Sequence, residues 1–246
     1  MSPITEIILF TGAAGACIPL GGLLAAVERI HPRWLEQEFR HFMIAFGGGV
    51  MLAAVALVLV PEGMEHLSWS VYGVALVFLG GVLFFTIERM LGFRRREAPQ
   101  FMAMLLDYMP ESLAIGGIFA TGSPSAPLLA ILIGLQNIPE GFNGFRELCG
   151  ITGHRRGRVL LMMAALVPLG PVLGVLGWAY FSLHVQLLGA SMLVASGGIL
   201  YLIFQDIAPQ SRLKRHWAPP LGAVVGFALG LFGKSLLATS WFSSLH

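Results

Sequence analysis

Apolar runs separated by short polar connections occupy nearly the whole chain. About 20 apolar residues cross the hydrocarbon core of a bilayer as a helix, and runs of that length lie at about 5–27, 42–62, 70–91, 100–120, 127–147, 158–181, 185–208 and 219–240. The period-two alternation of an outer-membrane barrel is absent. The pattern predicts an all-α, polytopic membrane protein of eight transmembrane helices, with residues 1–246 forming a single transmembrane domain. The first run has no basic segment before it and Glu6 precedes it, so it reads as a permanent span rather than a cleaved leader.

Composition excludes a soluble domain. The chain is 56% hydrophobic and 11% charged, against about 25% charged in soluble proteins. The basic residues set the expected orientation. Arg29, Arg33 and Arg40 surround the first connection; Arg89, Arg94, Arg95 and Arg96 the third; Arg146, Arg155, Arg156 and Arg158 the fifth; Arg212, Lys214 and Arg215 the seventh. Only Lys234 falls elsewhere, in the last run. By the positive-inside rule the odd connections are cytoplasmic and both termini lie outside. These clusters are short and dispersed, so topology accounts for them and no nucleic-acid partner is expected. Arg146 with Glu147 reads as a local pair or a topology anchor. Cys17 and Cys149 have no metal or redox spacing and read as packing residues.

Two polar units interrupt neighbouring runs. Asp107-Tyr108-Met109-Pro110-Glu111 lies in the fourth and Gln136-Asn137-Ile138-Pro139-Glu140 in the fifth. Each places an oxygen ligand four residues before a Glu, on one helix face, with Pro just before that Glu. Proline removes an N–H and frees the carbonyl four residues back, of Leu106 and Leu135, and is expected to bend each helix. At about 1.5 Å per residue, Glu111 and Glu140 lie roughly 16 and 20 Å into their spans, near the bilayer midplane. Charged groups there are costly without a partner or a task. A bound divalent cation would account for Asp107, Glu111, Gln136 and Glu140 together. The carboxylates repel one another without it, and an entering ion would displace protons, making affinity depend on pH. The turn Ser123-Pro124-Ser125-Ala126-Pro127 makes the two spans an antiparallel hairpin. A further echo links Gly47-Gly48-Gly49 through Pro61-Glu62 with Gly197-Gly198 through Asp206 and Pro209. Together these suggest inverted repeats around the site. Glycine pairs throughout read as close helix contacts.

At these residues the chain resembles the ZIP family of divalent metal transporters. Asn137-Ile138-Pro139-Glu140-Gly141 matches the family's fifth-span unit, Pro110-Glu111 the core of its fourth, and the stretches 46–62, 83–89 and 201–209 look like its second, third and seventh spans. The resemblance implies a ZIP-like bundle, zinc as the substrate, transport toward the cytoplasm by alternating access, and a homodimer. It implies metal ligation by Asp107, Glu111, Gln136 and Glu140, with Asn137 as an extra ligand. Departures limit it. The fourth-span His is Asp107 and the following Asn is Tyr108, while the sixth-span Glu is Val167, so a full binuclear site is not expected. An all-oxygen set also suits manganese, ferrous iron or cadmium. The resemblance also implies Gln205 and Asp206 as path residues near the cytoplasmic exit. From position alone, Asn143 is expected to face the path, on the side of the fifth span near Gln136 and Glu140, and Glu62, Glu65 and His66 to gather cations at the outer end of the second.

The sequence therefore points to a metal transporter in a prokaryotic inner membrane, with lipid and metal ion as partners and no organic cofactor. The main alternative is a metal-binding regulatory membrane protein of the same fold that does not transport. An intramembrane hydrolase is disfavoured, since neither a His-Glu-x-x-His unit nor a Gly-x-Ser-x-Gly elbow occurs.

Overall fold

The computed structural model describes residues 2–28, 33–68, 70–92, 99–153, 156–213 and 217–243. Arg29, Arg94, Arg95, Arg96, Arg155, Lys214 and Arg215 lie outside the described residues, as does the side chain of Arg33. Among the described residues all regular structure is helical: α1 (Pro3–Val27), α2 (Arg33–Ala54), α3 (Val60–His66), α4 (Val71–Gly92), α5 (Pro99–Thr121), α6 (Ala126–Thr152), α7 (Arg156–Ala164), α8 (Leu169–Phe181), α9 (Val185–Leu202), α10 (Ala208–Gln210) and α11 (Leu221–Ser243). Six described segments are long and apolar enough to cross a membrane: Pro3–Val27, Trp34–His66, Val71–Met90, Arg156–Phe181, Val185–Gln210 and Leu221–Ala238. The helices α5 and α6 carry the polar units.

Regular hydrogen bonding breaks where the sequence did not place the breaks. α5 and α6 stay helical through Pro110 and Pro139. Instead α2 and α3 are joined by a π-helical turn, Val55–Leu59, and α9 and α10 by another, Ile203–Ile207. In each the closing bond spans five residues, from the Val60 N–H to the Val55 carbonyl and from the Ala208 N–H to the Ile203 carbonyl. In each a proline, Pro61 or Pro209, follows one residue later, and its missing N–H is the physical cause. The Leu57 carbonyl, which an N–H at position 61 would have taken, accepts a bond from Lys234 Nζ at 2.9 Å. The sixth run is also split, by turns over residues 165–168 ending at Pro168.

The helices form two groups. α1, α5, α6 and α8 pack on one another; α2 packs on α11, and α4 and α3 pack on α9; the groups meet chiefly through α2 on α6 and α5 on α9. Glycines set the closest crossings. A Cβ on Gly141 would stand 2.1 Å from the Ile18 carbonyl oxygen, and one on Gly21 2.1 Å from that of Ile138. The α5–α8 seam repeats this pair for pair: Gly116 meets the Gly174 carbonyl and Gly177 that of Leu113. The α4–α9 and α2–α11 seams match in the same way, Gly80 on Val194 and Gly197 on Val77 against Gly226 on Phe46 and Gly49 on Ala223. Since α5 and α6 form a hairpin, the operation that exchanges these seams reverses helix sense. The register it imposes sets Glu111 opposite Gln136, not opposite Glu140.

At the α2 end of the bundle, Arg146 joins three helices. Its Nη1 donates to Glu28 Oε2 at 2.7 Å and its Nη2 to Glu36. It thus bridges the end of α1, the start of α2 and α6, a wider role than a pair with its neighbour. The Glu28 side chain is 9% exposed and that of Arg146 30%. Arg146→Ala is expected to destabilise by about 2 kcal/mol, between the values for exposed and buried pairs. Thermal melting in detergent checks this, with Arg146→Lys retaining part of the difference.

Candidate metal site

Because α5 and α6 run antiparallel, their polar residues pair by depth. Glu111 lies level with Gln136, whose Nε2 donates to Glu111 Oε1 at 2.5 Å. Asp107 lies level with Glu140, and the two share a cavity wall. Asp107, Glu111 and Gln136 are buried. Asp107 and Glu111 both act electrostatically on Glu140, so the three carboxyl groups form one coupled cluster. Glu111 Oε2, Gln136 Oε1, Glu140 Oε1 and Asn143 Oδ1 are buried with no hydrogen-bond partner among the described residues. Acceptors left so in a low-dielectric interior are costly, and a cation is the group that satisfies several at once.

Asp107 stands between two cavities. One, of about 80 Å³, is lined by Asp107, Glu140, Asn143, Asp206 and Gln210, with Met51 and Met104 among its apolar residues. The other, of about 10 Å³, holds Asp107 and Glu111 against Leu59, Phe84, Ala195 and Ile199. The second has room for about one water or a small ion and is walled mainly by apolar side chains. The first runs from Asp107 to Gln210, which is exposed at its mouth. Among the described residues no three His, Cys, Asp or Glu side chains close on a single point. Glu111 is drawn to Gln136 on one side of Asp107, and Glu140 faces the cavity on the other.

Not every expected residue joins the cluster. Asn137, expected as an extra ligand, is turned toward α1 and lines neither cavity. Its Nδ2 donates to the Ala14 carbonyl at 2.8 Å, since one step along a helix from Gln136 rotates a side chain by about 100°. Gln205 is exposed and lines neither cavity. Asp206 does line the larger one, and so does Gln210, four residues on and on the same face, which the sequence reading missed. Asn143 lines it as expected, its Nδ2 held by the Pro139 carbonyl at 2.9 Å. Glu62, Glu65 and His66 lie apart, at the end of α3; Glu65 is exposed, and Glu62 is buried and accepts a bond from Ser123.

Tyr108 turns away from the carboxylates into the gap between α1 and α8. Its hydroxyl lies 2.1 Å from where a Cβ on either Gly15 or Gly170 would stand, and the Val167 carbonyl borders the same gap. A bulky phenol thus occupies the ground next to Val167.

Gln136 both fixes Glu111 and offers an oxygen. Should the cluster hold a divalent cation, Gln136→Leu is expected to weaken its binding roughly 10–100-fold, the usual effect of losing a group that orients a ligand. Equilibrium binding to the detergent-purified protein measures it.

No protein-family model matches the chain. It is 28% identical, over 90% of its length and 78% of the relative's, to a protein of Bordetella bronchiseptica named zinc transporter ZIPB. It is 36% identical, over 53% of its length and 52% of the relative's, to a Myxococcus xanthus protein named zinc transporter GufA.

Proposed function

We propose that this chain, a divergent member of the ZIP family of divalent metal transporters, moves zinc through the cluster of Asp107, Glu111, Gln136 and Glu140. It is an integral membrane protein of helical build, and the names of its relatives support metal-ion transport as its activity. The observation that carries the reading is the cluster itself: three electrostatically linked carboxylates and an amide, with buried oxygens of Glu111, Gln136 and Glu140 that have no hydrogen-bond partner among the described residues, inside an otherwise apolar bundle.

In this reading the chain is one transporter domain that crosses a prokaryotic inner membrane eight times, with both termini extracytoplasmic. Two copies form a homodimer. An arriving ion draws Glu111 and Glu140 toward Asp107, with oxygen ligands only. Zinc accepts such ligands, and manganese, ferrous iron and cadmium are taken as well. With Tyr108 beside Val167, the site serves a single ion.

All four ligands belong to the α1–α5–α6–α8 group, whereas Asp206 and Gln210 belong to the other. Movement of the first group against the second would expose the ion alternately to each side. The apolar seal at Leu59 and Phe84 closes one side, and the cavity toward Gln210 opens the other. The direction toward the cytoplasm follows the family.

Uptake of zinc, manganese, iron and cadmium into proteoliposomes tests this. Saturable uptake above that of protein-free vesicles is the expected result. Zinc bound by correctly oriented protein without any uptake would replace the transport reading with that of a metal-binding regulatory protein.

A further inference from the structure

We propose that Glu62 and His66 form a second, weaker divalent-cation site at the end of α3, coupled through Ser123 to the turn between the two ligand helices. The proposal rests on the transport reading for its purpose, not for its chemistry.

His66 Nε2 faces Glu62 Oε2 across 3.9 Å. That separation is too long for a hydrogen bond. The two side chains are 13% and 11% exposed, and the imidazole nitrogen is buried with no hydrogen-bond partner among the described residues. A buried nitrogen facing a carboxylate across such a gap leaves a place for a third atom between them. Zinc sits about 2.0–2.2 Å from imidazole nitrogen and carboxylate oxygen, so one ion fits the gap after small side-chain rotations. Two protein ligands leave the remaining positions to water, which makes the site weak, as a loading station must be if it is to release its ion.

Both ligands are held in place. They lie four apart on one face of α3. His66 packs against α9, its Cβ 2.8 Å from where a Cβ on Gly189 would stand. The other oxygen of Glu62 accepts a bond from Ser123 Oγ at 2.6 Å. Ser123 Oγ in turn accepts from the Ser125 N–H at 3.2 Å, within the turn that links α5 to α6. A cation on Oε2 draws electron density from Oε1 and weakens it as an acceptor. Occupancy at Glu62–His66 therefore loosens the fastening between α3 and the tip of the hairpin that bears Asp107, Glu111, Gln136 and Glu140. None of the residues of this second site lines either central cavity.

The two sites differ in ligand chemistry, which makes the test selective. The central cluster offers only oxygen, so an imidazole signature in the X-ray absorption spectrum of bound zinc must come from elsewhere. The full-length protein, purified in detergent and titrated with zinc, is expected to show that signature beyond one equivalent. His66→Leu, which keeps the packing volume, is expected to remove it and to weaken the low-affinity phase at least tenfold. Ser123→Ala is expected to keep the signature. Folding of each variant is checked by its melting curve. A spectrum of oxygen ligands alone, or an imidazole signature that survives His66→Leu, overturns the proposal. Neither result touches the transport reading, which stands or falls on uptake by the native chain.

Discussion

Glu140→Ala brings saturable zinc uptake into proteoliposomes down to that of protein-free vesicles, yet the metal-free variant melts at a higher temperature than the native protein. The two effects have one origin. Glu140 sits within the field of Asp107 and Glu111 and has a buried oxygen with no hydrogen-bond partner among the described residues. Without a cation a buried carboxyl beside two others is costly whether it is ionised or holds a proton, so removing one relieves that cost. With a cation the same carboxylate is a charged ligand, and its loss is expected to weaken binding by more than about 100-fold, beyond the effect of removing a merely orienting group. Zinc then separates the proteins again. It stabilises the native fold by about 2.7 kcal/mol at 100 times its dissociation constant and leaves the variant nearly unchanged. A residue kept for packing would show the opposite pattern, with a lower melting temperature and uptake retained. This exchange of stability for function is the usual mark of a working site.

Gly141→Val abolishes the folded protein, although Gly141 has no chemical role. Its Cβ would lie 2.1 Å from the Ile18 carbonyl oxygen. The obstacle is backbone, which cannot rotate aside as a side chain can. The helices α1 and α6 would have to part along a seam that also holds the Asn137 bond to Ala14. Monodisperse protein in size-exclusion chromatography is expected to disappear. Gly116→Val on α5 should behave the same way, because its Cβ would meet the Gly174 carbonyl in the matching seam. Gly150, on the same helix as Gly141, provides the contrast. Nothing lies within 4 Å of its Cβ position. Gly150→Ala should therefore stabilise α6 by about 0.5–1 kcal/mol, the helix-propensity difference. Equal tolerance at 141 and 150 would mean that the seam is not as tight as described.

Much of this was legible in the sequence because it rests on local patterns. Apolar runs mark helices whatever their neighbours, and the four-residue spacing of Asp107–Glu111 and Gln136–Glu140 fixes a face. What escaped depends on partners distant in sequence. Arg146 reaches Glu28 and Glu36, more than a hundred residues away. α2 begins at Arg33 rather than near residue 42, since Glu36 is held by Arg146 and the polar residues of this first part do not read as membrane-spanning. Asn137 was expected as a ligand from the resemblance of the fifth-span unit, but one step along a helix from Gln136 turns it toward Ala14. Gln205 was expected from the seventh-span resemblance, which stops at Pro209 and leaves Gln210 out.

A regular helical wheel fails here at a definite place. A π turn is an α-helix carrying one residue too many, so everything beyond Ile203–Ile207 is rotated by about 100° from its place on an ideal helical wheel. The larger cavity is lined by Leu202 before the turn and by Asp206, Ile207 and Gln210 within and after it. The spacing is thus part of the site in the same sense as the side chains are. Deleting Ile203, Phe204 or Ile207 would leave every polar side chain in the protein and still swing Gln210 off the cavity mouth. An insertion of one residue, held open by a proline, works here as a gear tooth: it sets which face of the last turn is presented and can be lost without the loss of any functional group.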